Sequence, residues 1–148
     1  MPKAQMLNVP QPTRMLMTAS LAASAAAGTV FTFTIFQNGA SSSGLNPAIV
    51  PSNQKWFILN LEVPSAVTPD FIFGMKVNGT TQPLALDANT TVPTNSGRVQ
   101  LSEPINGYAA AIEIPPSATV EVTGYTLAAN GTSAVTYNAY MSVLLVPI

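Results

Sequence analysis

Apolar and polar side chains alternate with a period of two through most of this chain, and no other feature constrains its fold as tightly. Phe31, Phe33 and Ile35 share one face of an extended segment, with Thr32 and Thr34 on the other. Phe57, Leu59, Leu61 and Val63 are opposed by Asn60 and Glu62, and Phe71, Phe73, Met75 and Val77 leave Lys76 outside. Val99 and Leu101 alternate with Arg98, Gln100 and Ser102, while Ile112 and Ile114 flank Glu113, and Val120 and Val122 flank Glu121. The last run sets Val135, Tyr137, Ala139, Met141, Val143 and Leu145 against Thr136, Asn138 and Ser142. A β-strand buries such a pattern on one face; a helix would scatter it around its circumference.

The residues between the runs agree. Asn-Gly occurs at Asn38-Gly39, Asn78-Gly79, Asn106-Gly107 and Asn130-Gly131, and this dipeptide readily takes the left-handed backbone of tight hairpin turns. Asn78-Gly79 and Asn130-Gly131 lie between alternating runs and are expected to close hairpins. Most prolines also fall between runs; Pro83 falls inside one and points to an edge strand or a bulge. At Gly124 the apolar face moves from Val120 and Val122 to Tyr125 and Leu127, a change that a bulge would produce. The spacing predicts eight strands: Thr29–Gln37, Gln54–Val63, Asp70–Val77, Thr81–Leu86, Arg98–Ser102, Tyr108–Ile114, Ala118–Ala128 and Ala134–Val146. The best helix candidate, residues 18–27, rests on alanine propensity alone. The expected fold is all-β: an eight-stranded antiparallel two-sheet sandwich, jelly-roll-like. An immunoglobulin-like sandwich competes, but its Cys…Trp…Cys spacing is missing.

Before Thr29 the pattern is different. Residues 1–14 are polar and Pro-bearing, and residues 15–36 carry no charge. A signal peptide or a membrane helix would fit that stretch by length, but it is rich in Ala, Ser and Thr and its last third alternates like a strand. The favoured division is an extended N-terminal arm, residues 1–27, followed by a sandwich domain, residues 28–148. Met15, Leu16, Met17 and Leu21 are the expected inter-subunit contacts of the arm, and methionine suits an adaptable contact. Membrane contact through the arm is the less favoured option.

Composition narrows the function. The 148 residues include five basic and six acidic side chains, no histidine and no cysteine. The common general base and the thiol nucleophile are absent, so no catalytic residue is nominated and no enzyme is expected. Metal sites built on His or Cys are excluded; no metal site and no cofactor is expected. A carboxylate pair, Glu62 with Asp70, would suit glycoside hydrolysis, but the two read as solvated residues flanking a loop. A stacking platform of Trp56 with Tyr108, Tyr125, Tyr137 or Tyr140 would suit a sugar, against the plainer reading of core aromatics. The loop at residues 38–44 lacks the Lys-Ser/Thr ending of a phosphate loop. Three sequons, at Asn78, Asn89 and Asn130, are candidate glycosylation sites. With a net charge of −1 there is no basic stripe, so direct nucleic-acid binding is not expected. Few charges also leave the surface weakly self-repelling, and fold stability is expected to depend weakly on pH in the acid range.

The long arm, the strand count, the phrase Pro51-Ser52-Asn53-Gln54-Lys55-Trp56-Phe57-Ile58 and the phrase Ile114-Pro115-Pro116-Ser117-Ala118-Thr119-Val120-Glu121-Val122 resemble single jelly-roll viral capsid proteins. More loosely, they resemble the β-sandwich decoration proteins of phages and archaeal viruses. The resemblance implies a virion structural protein, as capsid subunit or outer decoration or penton component, acting by self-assembly. It implies a homo-oligomer whose partners are copies of itself and other virion proteins, located in the virion. Family members that bind the genome directly have strongly basic arms, whereas this one offers only Lys3 and Arg14. The alternatives are a secreted, cell-surface filament or pilus subunit that donates residues 30–36 as a strand, and a carbohydrate-binding β-sandwich module.

Overall fold

A computed structural model describes residues 12–37, 43–64, 68–82, 91–92, 97–100, 103–105, 108–110 and 112–148. Among them are strands and turns and no helix. In chain order the strands are β1 (Pro12–Leu21), β2 (Val30–Thr32), β3 (Thr34–Phe36), β4 (Ala48–Ile49), β5 (Gln54–Val63), β6 (Phe71–Val77) and β7 (Thr80–Thr81). There follow β8 (Thr91–Val92), β9 (Gly97–Gln100), β10 (Glu103–Ile105), β11 (Tyr108–Ala110), β12 (Ile112–Ile114), β13 (Thr119–Thr126) and β14 (Val135–Pro147). They pair into two antiparallel sheets packed as a sandwich, with β10 and β11 forming a separate ladder. The first sheet runs β12-β5-β14-β1-β3, with β9 also against β5; the second runs β2-β13-β6-β7, with β4 also against β13 and β8 against β6.

The N-terminal division expected from sequence is corrected here. Residues 12–21 are not part of an arm; they form β1, in the middle of the first sheet between β14 and β3. β1 pairs along its whole length with β14, from Pro12↔Leu144 to Leu21↔Val135. Met15, Met17, Ala19 and Leu21 are buried, while Leu16, Thr18 and Ser20 face outward. The period of two was present, but small side chains masked it. Met15, Met17 and Leu21, expected to touch a neighbour, therefore pack in the chain's own core. The helix candidate at residues 18–27 is strand as far as Leu21 and turn beyond it.

Between the sheets lies an aromatic cluster. Phe31 stacks on Tyr137 with ring centroids 4.9 Å apart and planes 7° from parallel. Phe71 meets Tyr137 edge-on at 4.9 Å and Phe73 edge-on at 4.9 Å. Phe31 and Phe71 belong to the second sheet and Tyr137 to the first, so these contacts tie the layers together. Each such pair adds about 0.5–1.5 kcal/mol beyond burial. Gly124 makes the cluster possible. It lies opposite Phe31 on β2 and Phe73 on β6, and a Cβ there would fall into the Phe31 ring. The bulge expected at Gly124 is absent: β13 keeps its register against β6 throughout, and Tyr125 and Leu127 face out.

The phase change occurs instead on β5. The β14–β5 register shifts between Ser142 and Val143, leaving Leu59 as the extra residue. Trp56 and Ile58 are buried before the shift, Leu61 and Val63 after it, and Phe57 and Leu59 turn outward. The expectation that Phe57 and Leu59 share the face of Leu61 and Val63 is corrected accordingly. The Asn78-Gly79 turn forms as expected: Val77 pairs with Thr80, and the two turn residues have φ of 50° and 78°. Asn130-Gly131 does not close a hairpin, because β13 and β14 lie in different sheets.

Sheet edges are built of short pieces. β9 and β12 lie end to end along β5, separated where the chain leaves for the β10–β11 ladder. β7 and β8 divide the edge of β6 in the same way, and β2 and β4 that of β13. The expected strands Thr81–Leu86, Arg98–Ser102 and Tyr108–Ile114 thus appear as pieces, with residues 83–90, 101–102 and 111 outside the described residues.

Candidate assembly surfaces and a cavity at one end

On the outer face of the first sheet, pairing sets Phe36, Leu16 and Tyr140 in one cross-strand row that continues through Glu62 to Arg98 of β9. A second row joins Leu144, Phe57 and Glu113. The apolar members of both rows are half-buried. Each row is capped by a base. The Arg14 guanidinium lies 4.2 Å from the Tyr140 ring centroid and 3.5 Å from Glu62 Oε1. Lys55 Nζ lies 5.5 Å from the Phe57 centroid and donates to Glu113 Oε1 at 3.2 Å. These bases screen aromatic faces while pairing with acids of the same chain. Of the four arm contacts expected from sequence, only Leu16 points to this surface.

The outer face of the second sheet carries a different strip. Val30, Tyr125 and Ile72 lie in one row, and Val30 and Tyr125 are 62% and 50% exposed. The rows beyond it are Thr32, Thr123 and Gly74, then Glu121 opposite Lys76.

At the end of the sandwich near Leu127, a cavity of about 350 Å³ is lined by Thr68, Pro69, Asp70 and residues 127–131. Asn130 fixes its wall. The Asn130 amide donates to Ala22 O at 2.8 Å and Ser133 O at 3.0 Å, and its backbone N–H donates to Ala25 O. Beneath the cavity the Tyr137 hydroxyl donates to Pro69 O at 2.7 Å. Burial, reinforced by the Asp70 carboxylate, pushes the Tyr137 hydroxyl up to about 12. The fold holds this proton at a pH where the unfolded chain has lost it, so the stabilisation is complete below about pH 10 and is lost as pH rises toward 12. We expect a loss on the order of 2–3 kcal/mol across that window, read by urea unfolding at pH 9 and pH 12. Tyr137→Phe should lower stability at pH 9 and abolish the step; an unchanged step would assign it to another group.

The remaining candidates divide cleanly. Trp56 is buried, and its indole N–H donates to Gln54 Oε1 at 3.0 Å. Tyr137 is buried, Tyr125 and Tyr140 face out from opposite sheets, and the Tyr108 side chain lies outside the described residues. The sugar-stacking platform is therefore not assembled from Trp56, Tyr125, Tyr137 and Tyr140. Glu62 is bound to Arg14 on the outer face of the first sheet, whereas Asp70 lines the cavity beside the second. Among the described residues no group of three or more acids, His or Cys is placed to hold a metal ion, and no helix is long and apolar enough to cross a membrane. Of the sequons, Asn78 stands on an exposed turn, Asn130 commits its amide to two carbonyls, and Asn89 lies outside the described residues. Residues 38–42 of the loop compared with a phosphate loop also lie outside them.

What sequence reasoning missed is the outer face of the first sheet. Its signal was the half-apolar alternate face of β5 and β14 (Phe57, Leu59, Tyr140, Leu144), where a soluble sandwich more often carries charge. Comparison with protein-family models and with curated proteins finds no match.

Proposed function

We propose that this chain is a virion structural protein, a capsid subunit or an outer decoration or penton component, that works by self-assembly and has a jelly-roll fold. The observation that carries the assembly reading is the outer face of the first sheet. There Phe36, Leu16, Tyr140, Phe57 and Leu144 form cross-strand apolar rows whose flanking charges are already paired within the chain. Burying such a face against another copy removes apolar area from water while Arg14 and Lys55 keep their acidic partners within the chain.

The strand order supports the fold. β1 and β14 pair side by side within one sheet, and β5 and β12 continue that sheet. β2, β13, β6 and β7 make the other, and the chain passes between layers from β1 to β2, β2 to β3, β3 to β4, β4 to β5, β5 to β6, β8 to β9, β12 to β13 and β13 to β14. Two interlocked Greek keys would require such repeated crossing, which supports the jelly-roll reading. Strand donation by residues 30–36 has less to recommend it: those residues pair with β13 and β1 of their own chain, and Phe31, Phe33 and Ile35 are buried. Short, interrupted edges also make poor templates for a foreign strand.

Negative-stain electron microscopy with light scattering on the full chain tests the reading. Closed shells or discrete rings are expected, and Tyr140→Asp should give a folded chain of lower mass. Long fibres would favour strand donation, and a monomer at high concentration would remove the self-assembly reading.

A further inference from the structure

Asn78 and Asn130 begin the same tripeptide, Asn-Gly-Thr, yet the fold treats their side chains in opposite ways. An Asn-Gly pair carries its own chemistry: the glycine nitrogen is a nucleophile placed near the side-chain amide carbon, with no Cβ to obstruct it. We propose that Asn78 is a site of spontaneous deamidation in the native protein and that Asn130 is protected. The Gly79 nitrogen forms a bond to Asn78 Cγ and gives up its proton. The Cγ–Nδ2 bond breaks, and that nitrogen leaves as ammonia, forming a succinimide. Water then opens the ring at either carbonyl, giving aspartate or isoaspartate.

Each element of that step differs between the two positions. The Gly79 N–H makes no hydrogen bond among the described residues, whereas the Gly131 N–H donates to Asn130 Oδ1 at 2.8 Å. Negative charge develops on Oδ1 during attack. At Asn78 that oxygen accepts from the Thr119 backbone N–H at 3.0 Å, a fixed donor aimed where the charge forms. The leaving nitrogen of Asn78 is free of hydrogen bonds among the described residues, while that of Asn130 is held by Ala22 O and Ser133 O. Space is open at both turns, since nothing lies within 4 Å of a Cβ built on Gly79 or Gly131, so the contrast rests on the hydrogen bonds. The product adds one negative charge to a chain of net charge −1. The aspartate form keeps the Thr119 contact, whereas isoaspartate lengthens the backbone of a two-residue turn.

The test is peptide mapping by mass spectrometry of the full chain held at mildly alkaline pH and 37 °C, native and in urea. In the native state Asn78 should convert at least roughly tenfold faster than Asn130, the rate change given by one hydrogen bond's worth of barrier. In urea the two identical tripeptides should convert at similar rates, which assigns the difference to the fold. Asn78→Asp should remain folded and gain no further mass at this position. Equal native rates, or faster conversion at Asn130, would overturn the proposal.

Discussion

Removal of residues 1–21 is expected to leave a chain that does not fold, whereas removal of residues 1–11 is expected to leave one that does. The first truncation takes away β1, which pairs with β14 on one side and β3 on the other. It also takes away Met15, Met17, Ala19 and Leu21 from the core. Burying a large apolar side chain contributes about 1.5–3 kcal/mol, and leaving the space empty costs more through lost packing. Three large side chains and an interior strand together are comparable with the roughly 5–15 kcal/mol by which a domain of this kind is stable. Far-ultraviolet circular dichroism and thermal unfolding of the two truncated chains make the comparison. Cooperative unfolding of residues 22–148 alone would mean that β1 is accessory. The distinction matters for any assembly experiment, because a truncation that unfolds the subunit says nothing about its contacts.

Gly124→Val should cost about 3 kcal/mol or more, at the upper end of what overpacking a core does. Gly124 sits between Phe31 and Phe73 on neighbouring strands, and even a Cβ would collide with the Phe31 ring. Phe31 cannot retreat without leaving Tyr137, with which it stacks, and Phe71. The two positions should therefore be coupled. In the double variant with Phe31→Ala the valine should cost far less than it does alone, a non-additivity that urea unfolding of the full cycle would measure. If Gly124→Val alone cost under about 1 kcal/mol, Phe31 would have to lie elsewhere.

How far the fold could be read from sequence depended on how much each strand relied on its own side chains. β5 was legible to the residue because its apolar run is long and bounded by Asn53 and Pro64. Its inward face was half misread, since a one-residue bulge at Leu59 leaves no mark on composition. β1 was missed because Thr18, Ala19 and Ser20 weaken its alternation and no glycine or proline closes it at Leu21. Gly124 was misread for a related reason: Tyr125 and Leu127 look like core residues, while the real inward neighbour is a ring supplied by β2. Asn130-Gly131 has the composition of a hairpin turn, but whether two strands pair or cross between layers is a long-range property. Of the candidate contact residues, Leu16 reaches the surface because β1 is a strand, and the same alternation takes Met15, Met17 and Leu21 inward.

Because β1 pairs along its whole length with β14, the earliest strand of the described fold waits for the latest. Translation at about 5–20 residues per second separates Leu21 from its partner Val135 by roughly ten seconds, and pairings between such distant parts of a chain form slowly even afterwards. Until β14 has emerged from the ribosome, the Leu16–Tyr140 row does not exist, since its two halves come from the two strands. A nascent or broken chain has no such surface to offer. Under the proposed self-assembly, a chain that lacks β14 therefore has no Leu16–Tyr140 row with which to meet a neighbour.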